Sequence, residues 1–170
     1  MSNLLYHGST VVVRNVDLSL GADHKDFGKG FYTTSIKEQA IKFAALKARR
    51  INANKGFVSV FEYTLNSDLN YKTFSRADTE WLDFVIENRG FGSQNKECYD
   101  IVEGPVANDA VGLVLNQLLI GTYGDPQSRE ARGTAIRLLE TERLYNQVFF
   151  GTGKSLTCLR FREEVEIEVD

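Results

Sequence analysis

Cysteine is almost missing from this chain. Cys98 and Cys158 are the only two, and neither belongs to a C-x-x-C spacing, so a disulfide framework and a zinc site are both excluded and no metal is expected. Excess charge of either sign is missing as well. Twenty basic residues face 23 acidic ones, a net charge of −3, which advertises no broad basic surface for nucleic acid. Long hydrophobic runs are absent; Val111–Ile120 is about half of what a membrane span needs. The first residues lack the basic-then-apolar layout of a signal peptide. These absences predict a soluble, cytoplasmic protein with reduced thiols and no membrane partner. What is present has the balance of an ordinary globule, 42% hydrophobic and 25% charged over 170 residues, which fits one domain over 1–170 and argues against extended disorder.

The chain is organised around Asp26-Phe27-Gly28-Lys29-Gly30-Phe31-Tyr32-Thr33-Thr34. Two glycines two apart let the backbone approach a ligand closely or take positive φ. Phe31–Thr34 favours a strand, and Ser35 with Glu38 forms a Ser-x-x-Glu capping box that starts a helix. Earlier, Tyr6-His7-Gly8-Ser9 sets one of only two histidines beside another glycine. The other, His24, reads as an exposed loop residue.

Further elements follow from periodicity and punctuation. Leu4–His7 is a strand ending at Gly8, which Val11–Val13 extends or pairs with, and Asp17–Lys29 is an ordered loop. A helix from Ser35 to about Asn54 carries Ile36, Ala40, Phe43 and Ala44 on one face and ends at Gly56. Phe57–Thr64 and Leu69–Phe74 read as strands. A helix begins at Asp78 or Thr79, buries Trp81, and closes at Gly90. Phe91–Glu97 is loop, Cys98–Val102 strand, and Gly104-Pro105 a turn. Asn108 or Asp109 caps a helix over Ala110–Ile120. Gly121–Gln127 is turn-rich, and a polar helix runs from Ser128 to Leu144. Asn146–Phe150 is a buried strand, Gly153–Leu159 a short helix, and Phe161–Val169 a final strand whose alternating charges suit an edge. The mixture is α+β, without regular βαβ alternation.

Two nucleotide signatures fail. Gly153-Lys154-Ser155 would end a P-loop, but Val148 stands where the leading glycine belongs, and Asp26–Gly30 lacks a third glycine. A different match remains. Tyr-His-Gly-Ser, then Gly-x-Gly-Phe-Tyr, then Asn146-Gln147 opening an aromatic strand resembles the ADP-ribosyltransferase fold, in the His–Tyr–Glu class of diphtheria toxin and the poly-ADP-ribose polymerases. With Asp100–Asp109 as a further shared block, the chain looks still more like a bacterial family known only as a domain of unknown function.

The resemblance implies a split sheet around an NAD cleft, with NAD as substrate. It implies that Gly8 offers its peptide N–H and C=O to the nicotinamide carboxamide, with Ser9 beside it, and that His7 bonds a ribose hydroxyl. Tyr32, with Thr33 next to it, stacks on nicotinamide, and Phe43, eleven residues on, closes the other side. Gly28 and Gly30 pass close to the dinucleotide. The chain departs from the family at Gln147, where the class carries its catalytic glutamate. Glutamine can hydrogen-bond the ribose but cannot offset a developing cation. Glu103 or Asp109 is the expected compensating acid, with Asn108 among the ligand-binding residues. The expected activity is mono-ADP-ribosyl transfer to an unknown acceptor, protein or nucleic acid, as in toxins partnered by a small antitoxin. The alternatives are a non-turnover NAD or nucleotide-binding module and a vestigial pocket. On the transferase reading, Leu4–His7, Phe31–Thr33 and Gln147–Phe150 lie side by side, with His7, Tyr32 and Gln147 facing one cleft.

Overall fold

The computed structural model describes residues 3–90, 99–107, 109–139 and 145–169. The loop expected over 91–97, Cys98, Asn108 and the final residues (140–144) of the helix expected to reach 144 lie outside them. In chain order the elements are β1 (Asn3–Ser9), β2 (Phe31–Thr33), α1 (Lys37–Arg50), β3 (Lys55–Tyr63), β4 (Tyr71–Thr73), α2 (Thr79–Asn88), β5 (Ile101–Pro105), α3 (Val111–Leu119), α4 (Arg129–Leu139), β6 (Asn146–Phe150) and β7 (Leu159–Glu168). Short 3-10 turns cover Leu18–Leu20 and Ser155–Cys158. The architecture is α+β.

The strands form two sheets, ordered β1-β3-β7 and β2-β6-β5-β4. Every pairing is antiparallel except β4 with β5. Leu5, Phe31, Phe61, Ile101, Val148 and Phe150 fill the space between the sheets. On the outer face of the first sheet, Ala40 and Ala44 of α1 pack against Val58 and Val60. On the outer face of the second, Trp81, Leu82, Leu115, Leu118 and Leu139 from α2, α3 and α4 cover Val102, Phe149 and Phe27. Period-two alternation therefore divides each strand of the second sheet. Phe31, Thr33, Val148 and Glu103 point between the sheets, and Tyr32, Phe149 and Gln147 point toward the helices.

Several sequence signals are overridden by tertiary context. Ser35 does not cap α1. The helix starts at Lys37 with Ile36 at its N-cap, and Thr34 Oγ1 accepts from the Ile36 peptide instead. Ser35 is diverted to Asn146, whose amide donates to Ser35 Oγ at 2.9 Å. The buried stripe of α1 is Ala40, Ala44 and Ala48, and Phe43 is exposed. Gly56 belongs to β3, because α1 already ends at Arg50 and Asn52 takes φ of 53° to turn the chain. Residues 11–13 form no strand; the Val13 peptide donates to Ser59 Oγ at 2.8 Å. Gly104 and Pro105 end β5 and make no turn. A Cβ at 104 would come within 3.0 Å of Phe74, and β4 pairs only as far as Glu103, so Pro105 needs no donor on that side. Asp109 does not cap α3, whose N-cap is Ala110. Asp78 and Gly90 do close α2 as their residue types require, by a side-chain bond to Trp81 N and by φ of 88°.

Candidate functional site

β1 and β2 touch and then part. Tyr6 and Thr34 exchange both peptide hydrogen bonds, at 2.8 and 2.9 Å, and so stitch the two sheets together. In a continuing antiparallel ladder the next exchange, two residues along, would join Gly8 to Tyr32. Among the described residues that rung is not made. His7 takes its place, with Nδ1 2.6 Å from the Tyr32 carbonyl oxygen. A carbonyl only accepts, so Nδ1 carries the hydrogen and Nε2 of the neutral ring is an acceptor. The ring lies against Phe31, centroid to centroid 4.5 Å. Burial drives the His7 pKa down to about 4, the Tyr32 carbonyl works against that fall, and nearby Lys47 adds to it. At neutral pH the imidazole is uncharged.

The peptide of Gly8 is left facing the gap. Its partner across β1–β3 is Val58, but strand alternation turns the Gly8 N–H and C=O away from β3, as it does those of Tyr6. The carbonyl oxygen meets Lys47 Nζ at 3.4 Å, and that ammonium also sits 4.6 Å from the centre of the Phe43 ring. Burial lowers the Lys47 pKa, with Lys25 and Arg50 contributing. Glycine at position 8 is also demanded from the other side, because a Cβ would stand 2.2 Å from the carbonyl oxygen of Ala40 in α1.

Tyr32 and Gln147 occupy the helix-facing side of the same strands. The Tyr32 hydroxyl accepts from Phe27 N at 3.1 Å and donates to Gly28 O at 2.7 Å, which ties the glycine loop down onto β2. Its ring rests on Phe149 at 5.1 Å, and burial raises the phenol pKa, so it stays protonated. The buried Gln147 amide donates through Nε2 to Asp26 Oδ2 and to the Pro105 carbonyl, both at 3.0 Å. Asp26 is itself buried. Arg89 grips its Oδ1 through Nε at 2.9 Å and Nη2 at 2.7 Å, and the Ala107 peptide donates to Oδ2 at 3.1 Å.

A family model described as a protein of unknown function (DUF3990) matches residues 3–161. The chain belongs to the DUF3990 family. No curated protein and no solved structure matches it.

In this DUF3990 chain the residues singled out from the sequence are only partly brought together. The gap collects Gly8, His7 and the Tyr32 backbone. Gln147, on β6, sits two strands away from β1 and on the other face of the sheet from the Phe31 ring that His7 touches. The three side chains therefore do not line one open cleft: alternation along the strands leaves Tyr32 and Gln147 on the helix-facing side and His7 with Phe31 on the other. Glu103 is not a compensating acid beside Gln147; it points between the sheets and accepts from the Tyr71 hydroxyl at 2.7 Å. Asp109 is exposed and pairs with Arg50 at 3.7 Å. Thr33 is buried on the inter-sheet side, bonded to the Val148 carbonyl. Ser9 is the last residue of β1, opposite Phe57. Gly28 needs its φ of 100°, and Gly30 is small because a Cβ would meet the Phe149 ring at 2.4 Å, so packing rather than a ligand accounts for that glycine. Asn108 lies outside the described residues. Two surface hollows of about 640 and 240 Å³ lie elsewhere, the first between Arg76–Thr79 and α4.

Asp26 was the residue that sequence reasoning missed. It stood in the motif beside the glycines, but its partners Arg89, Ala107 and Gln147 follow 63, 81 and 121 residues later. No local spacing could connect them.

Proposed function

We propose that this DUF3990 chain binds NAD through its nicotinamide end and transfers ADP-ribose from it, as a mono-ADP-ribosyltransferase on an ADP-ribosyltransferase-like split sheet. The unmade rung between Gly8 and Tyr32 carries the reading. A primary carboxamide has one acceptor oxygen and a donor NH₂, the complement of a peptide N–H and C=O presented side by side. Gly8 offers that pair at the edge of the gap. Beside it, His7 is neutral with Nε2 free to accept a ribose hydroxyl.

The chemistry suits uncharged groups. Cleaving the bond between ribose C1′ and the nicotinamide nitrogen sends the bonding pair to a ring that is already cationic, so nicotinamide leaves neutral and needs no proton. The ribosyl centre becomes oxocarbenium-like, as in glycoside cleavage, and an acceptor hydroxyl, amine or water closes on it and loses its proton. The residues contribute by holding the two ends of the scissile bond in line. Tyr32, anchored through the 26–28 loop, offers an aromatic face next to the gap.

A second reading, NAD binding without turnover, is favoured by one observation. Gln147 is uncharged, and the nearest carboxylate, Asp26, is matched by Arg89. Incubation with NAD and measurement of free nicotinamide, beside a calorimetric NAD titration, separates the two. Release in excess of the protein supports transfer or hydrolysis, binding without release leaves the binding module, and absence of binding overturns both.

A further inference from the structure

We infer that Asp26 is a positioning residue that sets which way the Gln147 amide points, and so leaves an uncharged acceptor, Gln147 Oε1, as the one group of this side chain able to take a ribose hydroxyl; the functional half of this inference rests on the transferase reading. Both groups facing Gln147 Nε2 at 3.0 Å, the Asp26 carboxylate and the Pro105 carbonyl, are acceptors only. They consume both amide hydrogens and fix the flip of the side chain. Oε1 is turned away from them and has no partner among the described residues. It is not sealed off either, since the one buried side-chain polar atom without a partner among the described residues is the Tyr63 hydroxyl. Asp26 can impose this because Arg89, at the C-cap of α2, and the Ala107 peptide hold both of its oxygens. The line from α2 through Arg89 and Asp26 to Gln147 is continuous and buried at its centre.

This arrangement reverses a simple expectation. Restoring the glutamate of the His–Tyr–Glu class at position 147 would not by itself improve the site. The new carboxylate would face the Asp26 carboxylate and the Pro105 carbonyl with no hydrogen between them, and like charges at that distance cannot both stay ionised without cost. The surroundings are built for an amide. Changing Asp26 to asparagine at the same time supplies the missing donor: the asparagine keeps its oxygen for Arg89 and turns its NH₂ toward position 147, at the cost of the bond from the Ala107 peptide, whose N–H then faces that NH₂.

The test is a double-mutant cycle of wild type, Asp26→Asn, Gln147→Glu and the combined variant, read by thermal midpoint and by nicotinamide release with kcat and KM separated. Each single change is expected to lower the midpoint and to lower kcat at least tenfold, with a smaller change in KM. The combined variant is expected to lose less in midpoint than the sum of the two single losses, because Asp26→Asn still gives up the Ala107 bond, and to exceed the slower single in kcat. Midpoints that simply add, or a combined variant no faster than the slower single, overturn the inference. If wild type releases no nicotinamide but the midpoints still couple, the orientation by Asp26 stands and the transferase reading alone falls. Should a single variant fail to fold, recovery of a folded protein in the combined variant is the supporting result, and its absence the contradicting one.

Discussion

His7 Nδ1 lies 2.6 Å from the carbonyl oxygen of Tyr32, in the place where the peptide of Gly8 would bond if β1 and β2 continued as one sheet. One imidazole thus stands between the sheets and leaves the peptide of the buried Gly8 out of the strand ladder beside it.

The first prediction concerns pH. The fold keeps His7 neutral down to about pH 4, while the unfolded chain protonates near the ordinary 6.5. Between those values the unfolded state binds the extra proton, so stability falls as pH drops through that window and levels off below it. Thermal midpoints measured from pH 7 to 4 should show this slope. The His7→Asn variant, which can still donate to Tyr32, should show less of it; an equal slope in both would assign the effect to other groups.

Gly8→Ala should destabilise the fold before it affects any ligand. The added methyl would meet backbone atoms of α1, 2.2 Å from Ala40 O and 2.9 Å from Ala44 N, which cannot swing aside. Overpacking of this kind costs about 1–3 kcal/mol, sometimes more. Urea unfolding measures it, and unchanged stability would mean that α1 rides further from β1 than described.

Tyr32 does two jobs that two substitutions separate. Tyr32→Phe removes the bonds to Phe27 N and Gly28 O, leaves a buried peptide donor unpaired, and should cost about 1–3 kcal/mol, with faster amide exchange at Phe27. The ring remains, so nicotinamide-end binding should largely survive. Tyr32→Ala removes the platform too and should weaken NAD binding by about 1–3 kcal/mol. Equal NAD affinity in the two variants would take the ring out of the site.

Lys47 competes for the same acceptor as a carboxamide, because its ammonium touches Gly8 O at 3.4 Å while lying over Phe43. Lys47→Met should therefore strengthen binding of free nicotinamide, which carries no phosphate to miss the charge, by about 0.5–1.5 kcal/mol, the worth of one freed hydrogen bond. Calorimetry with nicotinamide decides it; weaker binding would mean that the ammonium assists the ligand.

Much of the fold was legible because local pattern and tertiary context agree. β6 was bounded correctly by its apolar run, and α2 by Asp78 and Gly90, residues that do their capping alone. The misreadings share one cause: a side chain or small residue with a strong local meaning was claimed by a distant partner. Ser35 faces Asn146 and not its own helix, Gly104 makes room for Phe74 and Phe27, and Phe43 lies under Lys47 while alanines alone are small enough to seat α1 on β1 and β3. In the candidate site, the His-Gly pair and the tyrosine were readable as motifs. The unmade rung was not, since it depends on where two strands diverge. Nor was the Asp26–Gln147 bond, which spans 121 residues.

The gap itself can be probed residue by residue. Backbone amide shifts of the isotopically labelled protein, followed while nicotinamide is added and then nicotinic acid, test whether Gly8 is the carboxamide site. The account predicts that the Gly8 and Tyr32 amides shift strongly and saturably with nicotinamide, and little with nicotinic acid, whose carboxylate has no hydrogen to give the Gly8 carbonyl. Shifts confined to other regions, or no preference for the amide, would contradict it.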